Sequence, residues 1–132
     1  MFGLTGAYPV KWPNTLTVVR HGKSAYNQMT TERKHSAPEY AAFKQAYDDP
    51  TADPGIVREL AEKLHRSGVL NLEYGDHEIP LTTYGNQQSE ETGEHLPEHI
   101  PVPDVIFVSP YRRTVQTLGG LAIGWPELHN IK

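Results

Sequence analysis

The stretch LTVVRHGKSAYN, residues 16–27, decides how the chain is read. Leu16 to Val19 have the apolar, β-branched composition of a buried strand, and they run straight into Arg20-His21-Gly22. A glycine at that point lets the chain turn sharply, which leaves an imidazole and a guanidinium at the carboxyl end of the predicted strand, with Ser24 and Asn27 just beyond. This combination suits attack on a phosphoryl group: the imidazole supplies a nucleophilic nitrogen, and the guanidinium offers paired donors to phosphate oxygens. The tripeptide alone would also fit a basic strand end with an incidental histidine, because short motifs match by chance.

A second stretch supplies the context. In DVIFVSPYRRTVQTL, residues 104–118, an apolar run from Val105 to Val108 predicts another strand, ending at Ser109-Pro110 and leading into a helix that carries Arg112 and Arg113. Two predicted strands thus deliver cations from their carboxyl ends, the edge at which open α/β sheets bind ligands. Alternating strand and helix signals predict an α/β fold, a three-layer α/β/α arrangement with a mostly parallel sheet. Only two strong strands and an incipient one at HNIK, residues 129–132, can be found, against the ~5 to 6 of a usual sheet. The core is therefore expected to be incomplete, with the chain forming the N-terminal portion of a longer domain or a naturally short protein.

Together these residues resemble the histidine phosphatase superfamily, the phosphoglycerate mutase-like proteins, whose opening motif is Arg-His-Gly-x-Ser with asparagine three residues later. The second family motif, Ser-Pro-x-x-Arg-x-x-Gln-Thr, is matched by Ser109, Pro110, Arg113, Gln116 and Thr117. Between the two, IPLTTYGNQQS is similar to Pro-Leu-Thr-x-x-Gly-x-x-Gln-Ala at Pro80, Leu81, Thr82, Gly85 and Gln88. The resemblance covers most of residues 15–128 as one domain, with an unmatched helical insert or cap over about residues 28–76.

The resemblance implies that His21 accepts the phosphoryl group on a ring nitrogen and that water or an acceptor hydroxyl removes it. Arg20 and Arg113 would hold the nonbridging oxygens, Asn27 would add a neutral donor, and Ser24 would bond the phosphate or brace the loop. Arg112 stands at the motif's variable position and reads as a solvated cation. The family also uses a carboxylic acid and a second histidine in the later half of the domain, yet no strand-histidine-glycine unit follows Leu128. His35, His65, His77, His95 and His99 do not follow strands and read as surface or capping residues. The leading expectation is hydrolysis or isomerisation of a small phosphorylated metabolite, with phosphatase and mutase left open. Its rival is a non-catalytic phosphate-binding or interaction module.

Composition bounds the alternatives. With 132 residues, 37% of them hydrophobic and 21% charged, the chain is one domain or part of one. A net charge of −4 argues against nonspecific nucleic-acid binding. No apolar run approaches the ~18 residues of a membrane span, and the N-terminal ten residues lack the features of a secretion signal. The lack of cysteine rules out disulfides and fits a reducing, cytoplasmic setting. No cofactor is implied. A metal site is not expected, because Pro97 separates His95 from His99 and should end their helix. An unfinished sheet would leave an edge and apolar helix faces exposed, which predicts a homodimer.

The remaining punctuation predicts an irregular lead-in over residues 1–14 that docks Trp12 near the sheet, and then a helix from Pro38 that ends before Pro50. A further helix over residues 55–67 carries Ile56, Val57, Leu60, Ala61 and Leu64 on one stripe and stops at Gly68. These two helices fit equally a lid over the site or simple packing. Thr82 predicts the N-cap of a helix through about Leu96. The helix after Pro110 should fray at Gly119-Gly120, since glycines weaken a helix by about 1 kcal/mol each.

Overall fold

The computed structural model describes residues 12–132, and every regular element among them is helical. Five α-helices follow in order: α1 Ala25–Ser36, α2 Pro38–Asp48, α3 Pro54–Ser67, α4 Thr83–His95 and α5 Arg112–Gly124. Short 3-10 helices stand at Asp76–Glu78, Leu96–Glu98 and Pro126–Asn130.

The helix ends follow local chemistry. Asp53 caps α3 by accepting from Gly55 N and Ile56 N, at 2.7 and 3.2 Å, and α3 stops at Gly68, whose φ of 70° is the left-handed conformation that glycine adopts without a Cβ penalty. Thr82 caps α4 through its hydroxyl, which accepts from Gly85 N at 2.9 Å. Helix α4 ends at His95 and passes through a single 3-10 turn containing Pro97. Helix α5 begins two residues beyond Pro110, with Tyr111 as its N-cap and no side-chain cap bond.

The predicted three-layer α/β/α fold with a parallel sheet is not formed: the described residues contain no strand, and their sole bridge is the isolated antiparallel pair Ser24 and Leu81. The segments read as strands are irregular, and most of their large side chains face solvent, with Leu16 78%, Val18 83% and Phe107 94% exposed, while Ile106 alone of the second run packs on the core. A run of β-branched residues records fitness for a pleated, covered surface, but a ladder also needs a neighbouring chain to exchange hydrogen bonds with. Here the 105–108 segment gains one such bond, from Ile106 N to Lys132 O at 2.9 Å. Trp12 is 82% exposed and does not dock; the rest of the predicted lead-in, residues 1–11, lies outside the described residues.

The tightest packing is between α4 and α5, and small residues make it possible. A Cβ on Gly93 would overlap the Leu121 backbone, one on Gly120 would meet Ser89, and one on Gly124 would overlap the backbone of Glu90 and Glu94. Helix α5 therefore continues through Gly119-Gly120 instead of fraying, because close approach to α4 compensates the glycine propensity cost. The core grows from the end of this pair: Leu121, Ala122, Trp125 and Leu128 are buried together, with Leu96, Ile100 and Ile106 against them. Helices α2 and α3 pack on each other, and α2 reaches α1.

Candidate active site

The Arg20–Ala25 loop is held from three directions by residues far away in sequence. Gly22 N donates to Thr117 Oγ1 on α5 at 3.1 Å, and Lys23 N donates to Gln88 Oε1 on α4 at 3.0 Å. The Lys23 carbonyl accepts from both the backbone N and the hydroxyl of Thr82, at 2.8 and 2.9 Å, while Ala25 N donates to Pro80 O at 2.9 Å. Gln116 completes the lock from the other side, its Oε1 accepting from Leu81 N at 2.8 Å.

Close approach also fixes the glycines. A Cβ on Gly22 would overlap the Gly85 carbonyl, and a Cβ on Gly85 would overlap the Lys23 carbonyl, so the two backbones pass at a distance only glycine permits. No other residue type at 22 or 85 keeps this approach without moving the loop.

Within that frame His21 donates from Nδ1 to its neighbour's carbonyl, Gly22 O, at 2.7 Å. A carbonyl can only accept, so Nδ1 carries the proton, and in the neutral form of the ring the lone pair is then on Nε2. Ser24 is 2% exposed and forms a capping box at the start of α1. Asn27 Oδ1 accepts from Ser24 N at 3.1 Å and from Ser24 Oγ at 2.9 Å, and Ser24 Oγ accepts from Asn27 N at 3.2 Å. Of the two roles open to Ser24, the structure has it bracing the loop. With Asn27 Oδ1 so engaged, its amide N–H groups are what it can offer a ligand.

A cavity of about 500 Å³ opens beside the loop, lined by Arg20, His21, Lys23 and Asn27 together with Thr30 and Thr31 of α1 and Gln88 and Thr92 of α4. Its walls carry the side chains of Arg20 and Lys23 and no carboxylate, which favours an anion. Neither α2 nor α3 contributes a lining residue. Among the described residues no group of three or more histidine or acidic side chains could hold a metal ion.

Arg113 departs from the expected convergence. Its guanidinium does not line the cavity; Nη1 donates to the Asp76 carbonyl at 2.7 Å and to Asp76 Oδ1 at 3.2 Å, and the group lies 4.5 Å from the Tyr111 ring centroid. A charge-assisted pair and a cation–π contact together hold it on the 76–78 turn. Arg112 is exposed.

Residues 65–130, half of the chain, match the family model of the histidine phosphatase superfamily (branch 1). The chain belongs to the histidine phosphatase superfamily. No curated protein and no solved structure matches it. The matched segment of this histidine phosphatase domain contains Thr82, Gln88, Gln116 and Thr117 but stops short of the Arg-His-Gly loop that these residues grip. The general chemistry of such a superfamily domain is phosphoryl transfer through a phosphohistidine, which fits an imidazole with Nε2 free beside two cations.

Lys23, Thr30, Thr31 and Thr92 were not singled out by the sequence. Lys23 fills the variable position of Arg-His-Gly-x-Ser, where a cation beside His21 was a readable signal; the threonines had none, because Thr30 and Thr31 lie in the stretch that matches no motif and Thr92 lies on α4 beyond the matched Gln88. Among the described residues no helix is long and apolar enough to cross a membrane.

Proposed function

We propose that the domain is a phosphohistidine-forming phosphatase acting on a small phosphorylated molecule. The observation that supports this best is the grip of the family-matched segment on the loop carrying His21: five hydrogen bonds from Pro80, Thr82, Gln88 and Thr117 to residues 22–25 hold the imidazole at the cavity wall. The Nε2 lone pair attacks phosphorus, an N–P bond forms, and the P–O ester bond breaks with its electron pair leaving on oxygen, which takes a proton from water. A second water then attacks phosphorus, the N–P pair returns to Nε2, and phosphate leaves. Arg20, Lys23 and the Asn27 amide supply the positioning and charge neutralisation that this transfer needs. Losing one such donor costs ~3 kcal/mol of barrier, about two orders of magnitude in rate.

A specific observation favours a second reading. The cavity walls hold one histidine and no carboxylate, and Arg113 is engaged elsewhere, which suits a module that binds phosphate without turning it over. Hydrolysis of a chromogenic phosphate monoester, with acid-labile label trapped on the protein, separates the two. Turnover and label that disappear in His21→Ala support the enzyme. Equal inertness of wild type and variant, with phosphate or vanadate still raising the melting temperature, leaves the binding module.

A further inference from the structure

The contact between Arg113 and the 76–78 turn has a direction. Arg113 sits one turn before Thr117 on α5, and the Thr117 hydroxyl joins them to the loop: it donates to Arg113 O at 2.7 Å and accepts from Gly22 N at 3.1 Å. The Arg113 backbone is thus two hydrogen bonds from the residue after His21, about one helical pitch away, within the span of an arginine side chain. The guanidinium nevertheless points to Asp76, whose carboxylate is 65% exposed on the surface turn.

We propose that Asp76 is an internal competitor for Arg113: its carboxylate and carbonyl occupy the guanidinium, and an anion bound beside His21 draws it into the cavity. This rests on the phosphate-binding reading of the site. An exposed carboxylate is a weak, solvent-screened partner, whereas a phosphate dianion between Arg20 and Lys23 carries twice the charge and offers more acceptor oxygens. The turn has an independent anchor: His77 stacks on Tyr111 with ring centroids 4.2 Å apart and planes within 9°. Release of Arg113 therefore does not release the turn. Asp76 acts here as a positioning residue, and its cost to the ligand grows as the fraction of molecules with Arg113 already free falls.

The sign of the Asp76 effect tests this. In calorimetric titration of inorganic phosphate into the whole chain at low salt, Asp76→Ala should tighten binding by ~2- to 5-fold, the range of an exposed ion pair. The gain should vanish when Arg113→Ala is added, and in the wild type the Arg113 side-chain N–H signals should shift as phosphate is titrated. A turn that merely braces the site predicts the opposite sign, weaker binding in Asp76→Ala; that result, or a gain that survives in the double variant, overturns the competitor. If Asp76→Ala does not fold, Asp76→Asn carries the same expectation through removal of the charge alone. Failure of the underlying reading looks different: phosphate then binds neither wild type nor variant, or binds without regard to Arg20→Ala, and the competitor falls with it. If Arg20→Ala abolishes binding while Asp76→Ala leaves it unchanged, the site stands and only the competitor is lost.

Discussion

Two regions that read alike in sequence behave differently in the folded chain. Both the 16–19 and the 105–108 runs carry strand-forming residues, and both lead towards motif residues, yet the apolar runs stay irregular and largely exposed while residues 22–25 are pinned from α4, α5 and the 80–82 segment. The difference lies in where each region finds its partners. Polar groups of the loop meet individual side-chain and backbone groups placed to satisfy them, whereas a strand needs a whole adjacent backbone. Gln88 and Thr117, matched in the sequence as motif positions without a role, are here clamps on the loop that carries His21.

That contrast can be broken at its tightest point first. Gly85→Ala forces a methyl group into the Lys23 carbonyl, and a stability loss of ~1 to 3 kcal/mol, read from urea unfolding, is expected together with loss of phosphate binding. Next in size, Thr117→Val removes the acceptor for Gly22 N while keeping the side-chain volume; leaving that donor unpaired should cost ~1 to 2 kcal/mol, and turnover should fall further than stability if the clamp positions His21. Gly119→Ala sharpens the comparison from the other side: nothing lies within 4 Å of a Cβ there, so helix propensity should raise stability by ~0.5 to 1 kcal/mol, measured by the same unfolding midpoint. Phe107→Lys, in the exposed run, should change stability by no more than about 0.5 kcal/mol, and a larger loss would show that the segment is buried in solution.

Local chemistry was legible wherever a single residue sets a helix end. Thr82, Gly68 and Pro38 mark boundaries that the chain observes, because a cap, a left-handed glycine and a first-turn proline each act through neighbouring atoms. Helix α1 went unread although Ser24 and Asn27 form its capping box, since it buries only Met29 and so shows no apolar stripe. The continuation of α5 past Gly119-Gly120 depends on the face of α4, and the missing ladder on absent neighbours; neither lies in the local sequence. In the site, Arg20, His21 and Asn27 were legible as a motif and do share one cavity. Arg113 belongs to a motif too, but its side chain answers to Asp76, 37 positions earlier, and no spacing rule reports such a pairing.

The clamps on residues 22 and 23 join positions 95 and 65 apart along the chain. Contacts of that range form late, because loop closure must be met before they can hold, so the His21 surface comes into being only as the α4–α5 pair docks. An anion recognised there has no foothold on the unfolded chain, so if phosphate binds as proposed it should make global opening and local opening of the loop rarer together, and hydrogen exchange at Gly22 and Lys23 would report both.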